Sequence, residues 1–365
     1  MDLKKEQQIL LSKQRIKYID ALRGFTMFLV VLQHIESIGF GIHPYESVLG
    51  NILVSFRMPM FFFISGYIAY KVSFDWNMDA YCSNLRKKAI VQLIPTVFFF
   101  SLFTIAKAGN PISSFVTNGW GGYWFTFVLF EMFVLFYSLS YWYKKYLDHC
   151  LVALSVFGVF SLVVFRSDAA WWNMLCLENL CKYFQFFSLG ILAKKYNTKF
   201  SFLIRNENTK AFVFSFLIRN ENTKAFVFLI FIFSIVIITA TNWVNESFIV
   251  KSLVRDVIVR YTGIFVVFAF FLSKEEFFKR ENWFNKCILF IGRRTLDIYV
   301  IHYFLLSSFP QLKSFVQQNI ITEISVSFFL TIMVIAVSLV ISEVIRCSSF
   351  LGHYLFGVKL EKNDK

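Results

Sequence analysis

The sequence predicts an all-α, polytopic integral membrane protein of about ten transmembrane helices, with no separate soluble domain. Three observations carry this expectation. Apolar residues fill 57% of the 365 positions and charged residues only 16%, against roughly a quarter in an ordinary soluble domain. The apolar residues run in continuous blocks of about 20, enough to cross a bilayer as helix, without the strict alternation of a barrel strand. Lysine and arginine gather on alternate connections between those blocks.

Taken in order, the blocks place helices at about 22–40, 49–70, 89–106, 123–142 and 150–165, then 173–193, 225–241, 248–272, 286–307 and 323–345. This assignment puts twenty-six lysines and arginines on the side that holds both termini and three on the other. Cytoplasmic loops hold the basic excess, so both termini are expected in the cytoplasm. The eight remaining basic residues lie inside spans: Arg23, Arg57, Lys182, Lys251, Arg255, Arg260, Arg293 and Arg294. The net charge of +14 is therefore topological, and nucleic-acid binding has no folded domain to carry it.

The opening MDLKKEQQILLSKQRIK is too long and too charged for a signal-peptide n-region, so the first helix is expected to stay attached. Six scattered cysteines form no CxxC pair, so neither zinc nor a disulfide framework is expected. The segment SFLIRNENTKAFVF occupies 201–214 and recurs unchanged at 215–228. An identical tandem copy points to a recent duplication in a cytoplasmic loop, because a solenoid needs three or more diverged repeats. The triplet Asn245, Glu246, Ser247 is a glycosylation sequon on the outer side, of a kind common by chance.

Ionisable side chains within spans are costly in lipid and are functional candidates until paired. The first span reads YIDALRGFTMFLVVLQHIES. Asp20 suits the helix start, where a carboxylate opposes the positive helix end. Arg23 and His34 are eleven residues apart, about 20° in angle and about 16 Å in rise, so they share one face. Arg23 falls at the cytoplasmic edge and His34 deep in the bilayer. Such a stripe can hold an anion at its entrance and present a proton acceptor at its far end; a histidine that only bonds a neighbouring helix is the plainer alternative. Gly24 permits another helix or a ligand to approach closely.

In FRMPMFFFISGY, Arg57 lies near mid-depth above Pro59, and either stabilises developing negative charge or neutralises Glu36 or Glu131. Arg86, Lys87 and Lys88 precede the third span, where lipid phosphates or a nucleotide phosphate are their two candidate partners. Trp124 and Glu131 fall in the outer half of the fourth span, with an aromatic-belt role as the simple reading of Trp124. In IGRRTLDIYVIH, Asp297 sits within a helical turn of Arg293 and Arg294, which makes an intrahelical pair the economical explanation and leaves one arginine over. Tyr299 and His302 lie further towards the outside. Lys251, Arg255, Asp256 and Arg260 crowd the outer half of the eighth span, facing either a lipid-linked diphosphate or Glu246.

Together, IDALRGFTMFLVVLQHI, FRMPMFFFISGY, LRKKAIVQLIP, YWFTFVLF and IGRRTLDIYVIH resemble, in order and spacing over roughly 18–345, the membrane-bound acyltransferase 3 family. In particular they resemble its short fucose 4-O-acetylase-like branch and related surface-polysaccharide O-acetyltransferases, the strongest element being the arginine, ten residues, histidine spacing of Arg23 and His34. The resemblance implies one transmembrane acyltransferase domain over 1–365 in a bacterial inner membrane. It also implies transfer of an acyl group, usually acetyl, from cytoplasmic acyl-CoA to a hydroxyl of a surface or polyprenyl-linked sugar. By the same resemblance His34 is the general base or an acyl relay, and Arg23, counted with it as catalytic, positions the CoA with Arg86 and Lys88 near its phosphates. Beside these, Arg293 and Arg294 are expected at the acetyl-CoA and Arg57, Trp124, Glu131, Tyr299 and His302 at the acceptor; many relatives lack an arginine at the position of Arg57, so the resemblance assigns it no role. No metal is implied. The hydrolase-like domain fused to some relatives has no counterpart here, so the chain either completes the transfer or passes the acyl group to a separate extracytoplasmic transferase. The competing classes are a proton-coupled transporter using His34, Glu131 and the buried arginines, and a lipid-linked glycan flippase.

Overall fold

The computed structural model describes residues 15–71, 77–164, 170–196 and 259–358, and these are helical without a strand. The duplicated segment 201–228, the expected span at 225–241, the first part (248–258) of that at 248–272, and Lys251, Arg255 and Asp256 lie outside them. Five helices are long and apolar enough to cross a membrane: Val48–Ala69, Met78–Ala106, Gly121–Trp142, Lys144–Leu162 and Ile320–Arg346. Two shorter apolar helices, Arg260–Ser273 and Thr295–Leu305, add to these. Helix Ile320–Arg346 has the polarity of a membrane helix. It exposes Phe329, Val340 and Val344 while Ser327, Thr331, Ser338 and Ser342 are fully buried. A water-soluble helix hides its apolar face; this one hides its hydroxyls.

The residues divide into two compact units, Met1–Val72 with Gly190–Thr295 and Leu306–Met333, and Ser73–Leu189 with Leu296–Leu305 and Val334–Lys365. In the first unit, α1 (Lys17–His34) is central, packing on α2 (Val48–Ala69), α9 (Arg260–Ser273), α10 (Glu275–Lys279) and α11 (Trp283–Arg293). Ser47 caps α2 by accepting the amide of Gly50, and Asn282 caps α11 by accepting that of Asn285. Two glycines bring α1 and α11 together: a Cβ on Gly24 would collide with the Ile288 carbonyl oxygen, and one on Gly292 with that of Asp20. The backbones of α1 and α11 touch because neither position has a side chain. Tyr18 and Tyr67 share a hydrogen bond at 3.1 Å, and Phe63, Tyr67 and Tyr18 surround the ring of Phe268.

In the second unit, α3 (Met78–Ala106) packs on α5 (Trp124–Trp142), on α4 (Pro111–Asn118) and on α15 (Ser349–Phe356). Asn77 caps α3, and Asn110 caps α4 ahead of Pro111 at its first turn. Helix α6 (Leu147–Val164) lies against α5, and α4 lies on the short α7 (Ala170–Met174). Thr96 on α3 hydrogen-bonds Thr126 on α5, joining two buried hydroxyls.

Two expected spans are interrupted. The sixth breaks at Cys176, whose φ of 47° is left-handed, into α7 and α8 (Leu177–Lys195). The ninth breaks at Arg294 into α11 and α12 (Thr295–Leu305), each about 16 Å long and too short to cross alone. The first is also modified. Directly after His34 the chain winds into a π-helical turn, Ile35–Gly39, a distortion that recurs at functional sites. The remaining helices, α13 (Lys313–Val316) and α14 (Ile320–Arg346), precede α15 in the chain.

Gly292→Ala is predicted to destabilise the protein by the upper end of roughly 1–3 kcal/mol, since the methyl group meets backbone that cannot turn aside. Gly41→Ala, at a φ of 68° with nothing within 4 Å, should cost only about 1 kcal/mol of backbone strain. Thermal unfolding in detergent separates the two, and equal midpoints would contradict the backbone contact.

Candidate functional site

Each unit concentrates polar chemistry in its own place. In the first unit it surrounds the α1–α11 crossing. Arg23 donates from Nη2 to the Thr295 hydroxyl at 2.7 Å, while its Nη1 lies 3.9 Å from Asp20 Oδ1. Arg293 Nε is 3.7 Å from Asp20 Oδ2. One carboxylate thus stands between two arginines at ion-pair rather than hydrogen-bond distance, and Asp20 Oδ2 makes no hydrogen bond among the described residues. The expected capping role of Asp20 is not seen. Ile16 begins α1 without a side-chain cap, and Asp20, in the first turn, is turned to the arginines instead.

These guanidinium groups are half-exposed, with side-chain exposures of 32% for Arg23 and 46% for Arg293. A loosely compensated arginine pair beside a hydroxyl is suited to a phosphate, which guanidinium groups bind in paired, planar fashion. Arg294 closes the break with its guanidinium over the Phe290 ring, 5.5 Å from the centroid. Helix α1 runs without interruption from Arg23 to His34, so their shared face is set by helical geometry. His34 is half-buried at the last α-helical position. Two residues on, Glu36 is 1% exposed and is an electrostatic neighbour of Glu323. Arg57 is half-buried on α2, two residues before Pro59.

In the second unit, tyrosines of α12 and of the segment before α5 converge on one glycine. Tyr299 and Tyr303 both donate to the Gly122 carbonyl, at 2.6 and 2.9 Å, and Tyr123 donates to the Val300 carbonyl at 3.2 Å. A Cβ on Gly122 would lie 2.6 Å from the Tyr303 ring, so only glycine admits it. His302 is fully buried with Nδ1 3.0 Å from the Ile298 carbonyl, which accepts the Nδ1 proton. Trp124 stacks on Tyr183 at 5.6 Å, and Glu131 is seven residues further along α5, on the same face. Lys88 lies over the Phe133 ring at 3.7 Å, while Arg86 is exposed.

Asp297 is held by Arg346, whose Nη2 and Nε approach Oδ2 at 2.7 and 2.9 Å, and by the Ser342 hydroxyl. Sequence spacing pointed to Arg293 and Arg294 for this carboxylate. The long-range partner Arg346, 49 residues away, has no local signature, nor has the Thr295 hydroxyl beneath Arg23.

Helices that expose apolar side chains, bury hydroxyls and break next to arginines define a multi-pass membrane protein with polar chemistry inside the bundle. A model of an acyltransferase domain, that of the acyltransferase 3 family, matches residues 16–343, and the chain belongs to this family. It is 30% identical over 145 residues to the nodulation protein NolL of Sinorhizobium fredii (strain NBRC 101917 / NGR234). That stretch covers 34% of this chain and 38% of the relative, so the match spans well under half the length of either. No solved structure matches the chain. The family match confirms the resemblance carried by the sequence motifs. Among the described residues no group of three histidine, cysteine or acidic side chains is placed to hold a metal ion.

Replacing Arg346 with leucine is expected to cost about 3 kcal/mol, because the buried Asp297 carboxylate loses its ion partner. Ser342→Ala should cost about 1 kcal/mol. The double variant Asp297→Asn, Arg346→Leu should recover much of the loss in denaturant titrations in bicelles; additive losses would show that the pair is not coupled.

Proposed function

We propose that the protein moves an acyl group, acetyl in the first instance, from cytoplasmic acyl-CoA to a hydroxyl of a cell-surface or polyprenyl-linked glycan across a bacterial inner membrane. The observation that carries this reading is Arg23 and His34 on one face of an uninterrupted helix, in a chain of an acyltransferase family. Arg23, Arg293 and Thr295 supply guanidinium and hydroxyl donors for the phosphates of the donor. The separation of about 16 Å to His34 along the helix suits a donor whose thioester sits at the end of a long arm.

His34 acts as general base. Its imidazole accepts the proton of the acceptor hydroxyl while that oxygen bonds to the thioester carbonyl carbon. The carbon–sulfur bond then breaks, and the leaving thiolate takes the proton back from the imidazolium. In the relay form of the same reaction the imidazole attacks first and carries the acyl group to the glycan, or to a separate extracytoplasmic transferase. Either route releases one CoA thiol per acyl group and needs no metal. Trp124 and Glu131 are the acceptor-side candidates. Tyr299 and His302 are too deeply buried to touch a glycan directly and support that region from beneath.

The test is thiol release by the purified, detergent-solubilised protein given acetyl-CoA and a panel of surface glycans. His34→Ala is expected to lower acceptor-dependent release by about 10²–10⁴-fold, the usual worth of a general base, without changing the unfolding temperature. A fully active His34→Ala protein would sink the mechanism. Substrate flux without CoA dependence would instead favour the transporter.

A further inference from the structure

The second unit contains a half-open cavity of about 270 Å³ whose walls include Trp120, Trp124, Trp172, Asn173, Glu178 and Asn179. It forms where the end of α4 meets the α7–α8 break. The two walls are pinned together through the backbone of Asn173. Gly119, at a φ of 58°, approaches so closely that a Cβ there would lie 2.6 Å from the Asn173 carbonyl oxygen. The same oxygen accepts the Cys176 amide at 3.1 Å and its thiol at 3.6 Å, which fixes the left-handed turn at Cys176. Trp120 is clamped by the rings of Phe100, Phe115 and Phe127, and its buried indole N–H makes no hydrogen bond among the described residues. Trp124 is braced by Tyr183. Trp120 and Trp124 are therefore held in place by neighbouring rings.

The lining selects its ligand by chemistry. Among the described residues no lysine or arginine lines it, so it is not a phosphate or CoA site. Indole faces offer flat apolar surface, while two asparagines and a glutamate supply both donors and acceptors. Flat CH-bearing faces edged by hydroxyl groups are the property of a pyranose ring. The volume is below the roughly 300–1,000 Å³ of pockets that enclose drug-sized ligands, which suits a single sugar unit. On the sequence's charge asymmetry, the connections that build it, between the third and fourth and the fifth and sixth spans, belong to the outer side.

We infer that this cavity is the acceptor subsite, binding one neutral pyranose unit of the glycan between Trp124 and Trp172 with its hydroxyls on Asn173, Asn179 and Glu178. The inference rests on the acyltransferase reading for the word acceptor, but sugar binding itself does not depend on it. Trp172, Asn173 and Asn179 then set which sugar is acylated. They are positioning and specificity residues, not catalytic ones.

Saturation-transfer NMR on the intact detergent-solubilised protein, without acyl-CoA, tests this with methyl glycosides of glucose, galactose, mannose, fucose and N-acetylglucosamine as probes. At least one should bind, and Trp172→Ala and Asn179→Leu should each weaken it tenfold or more while CoA binding is unchanged. In thiol-release assays the same variants should raise the glycan KM at least tenfold and leave the acetyl-CoA KM alone. Trp172→Phe, which keeps an aromatic face, should restore most of the binding and confirms that the variants fold. Failure of every probe to bind, or wild-type glycan KM values in both variants, overturns the subsite while leaving the transferase intact. Loss of lipid-dependent stability with unchanged sugar binding would make the tryptophans an interfacial belt and also overturn it. Sugar binding lost in the variants of a protein that releases no thiol would keep the subsite and remove the acyltransferase reading.

Discussion

The close approach of Gly24 to Gly292 is the contact on which the basic cluster depends. Two glycines 268 residues apart in sequence bring α1 and α11 together backbone to backbone, and a single methyl group at either would meet a carbonyl oxygen. Because they do touch, Asp20 stands between Arg23 and Arg293, and Thr295 reaches Arg23 as the first residue beyond the helix break. Glycine and a discontinuous helix thus do in this bundle what a loop does in a soluble enzyme, placing polar groups without exposing backbone to lipid.

Burying so much polarity in an apolar chain requires that it be satisfied internally. Serine and threonine hydroxyls return protons to the carbonyl one turn back, as at Thr26, Ser55, Thr331 and Ser338. Tyrosine hydroxyls converge on the Gly122 carbonyl, and Asp297 takes both an arginine and a serine. Glu36 is buried beside Glu323 and Ser327, two residues beyond His34 in the π-helical turn, which keeps a carboxyl group next to the candidate base.

What local pattern encodes was legible in the sequence. The apolar blocks located α2, α3, α5, α6 and α14 to within a few residues at most ends, and eleven-residue spacing placed Arg23 and His34 on one face. Positions 89–106 proved to be the apolar part of a longer helix that extends back through the basic turn to Met78, since charged residues there favour helix as well as water. Breaks at Cys176 and Arg294 were not legible, because Leu-Cys-Leu and Gly-Arg-Arg contain no proline and read as continuous helix. The partners of Asp20 and Asp297 were missed for a different reason. Periodicity reports neighbours along one helix, whereas Arg293 and Arg346 arrive from elsewhere in the chain. The indole cavity was half visible, as Trp124 alone; Trp120 and Trp172 come together only through the backbone contact of Gly119 with Asn173.

An acyl donor on one side of the membrane and a glycan on the other is the arrangement that Arg23 at one end of α1 and His34 at the other were argued to serve. The most direct test is sidedness. Sealed inside-out vesicles holding glycan in the lumen, given labelled acetyl-CoA outside, should accumulate label on the trapped glycan. Right-side-out vesicles given both reagents outside should not. Labelling that requires donor and glycan on the same side would contradict transmembrane acyl transfer.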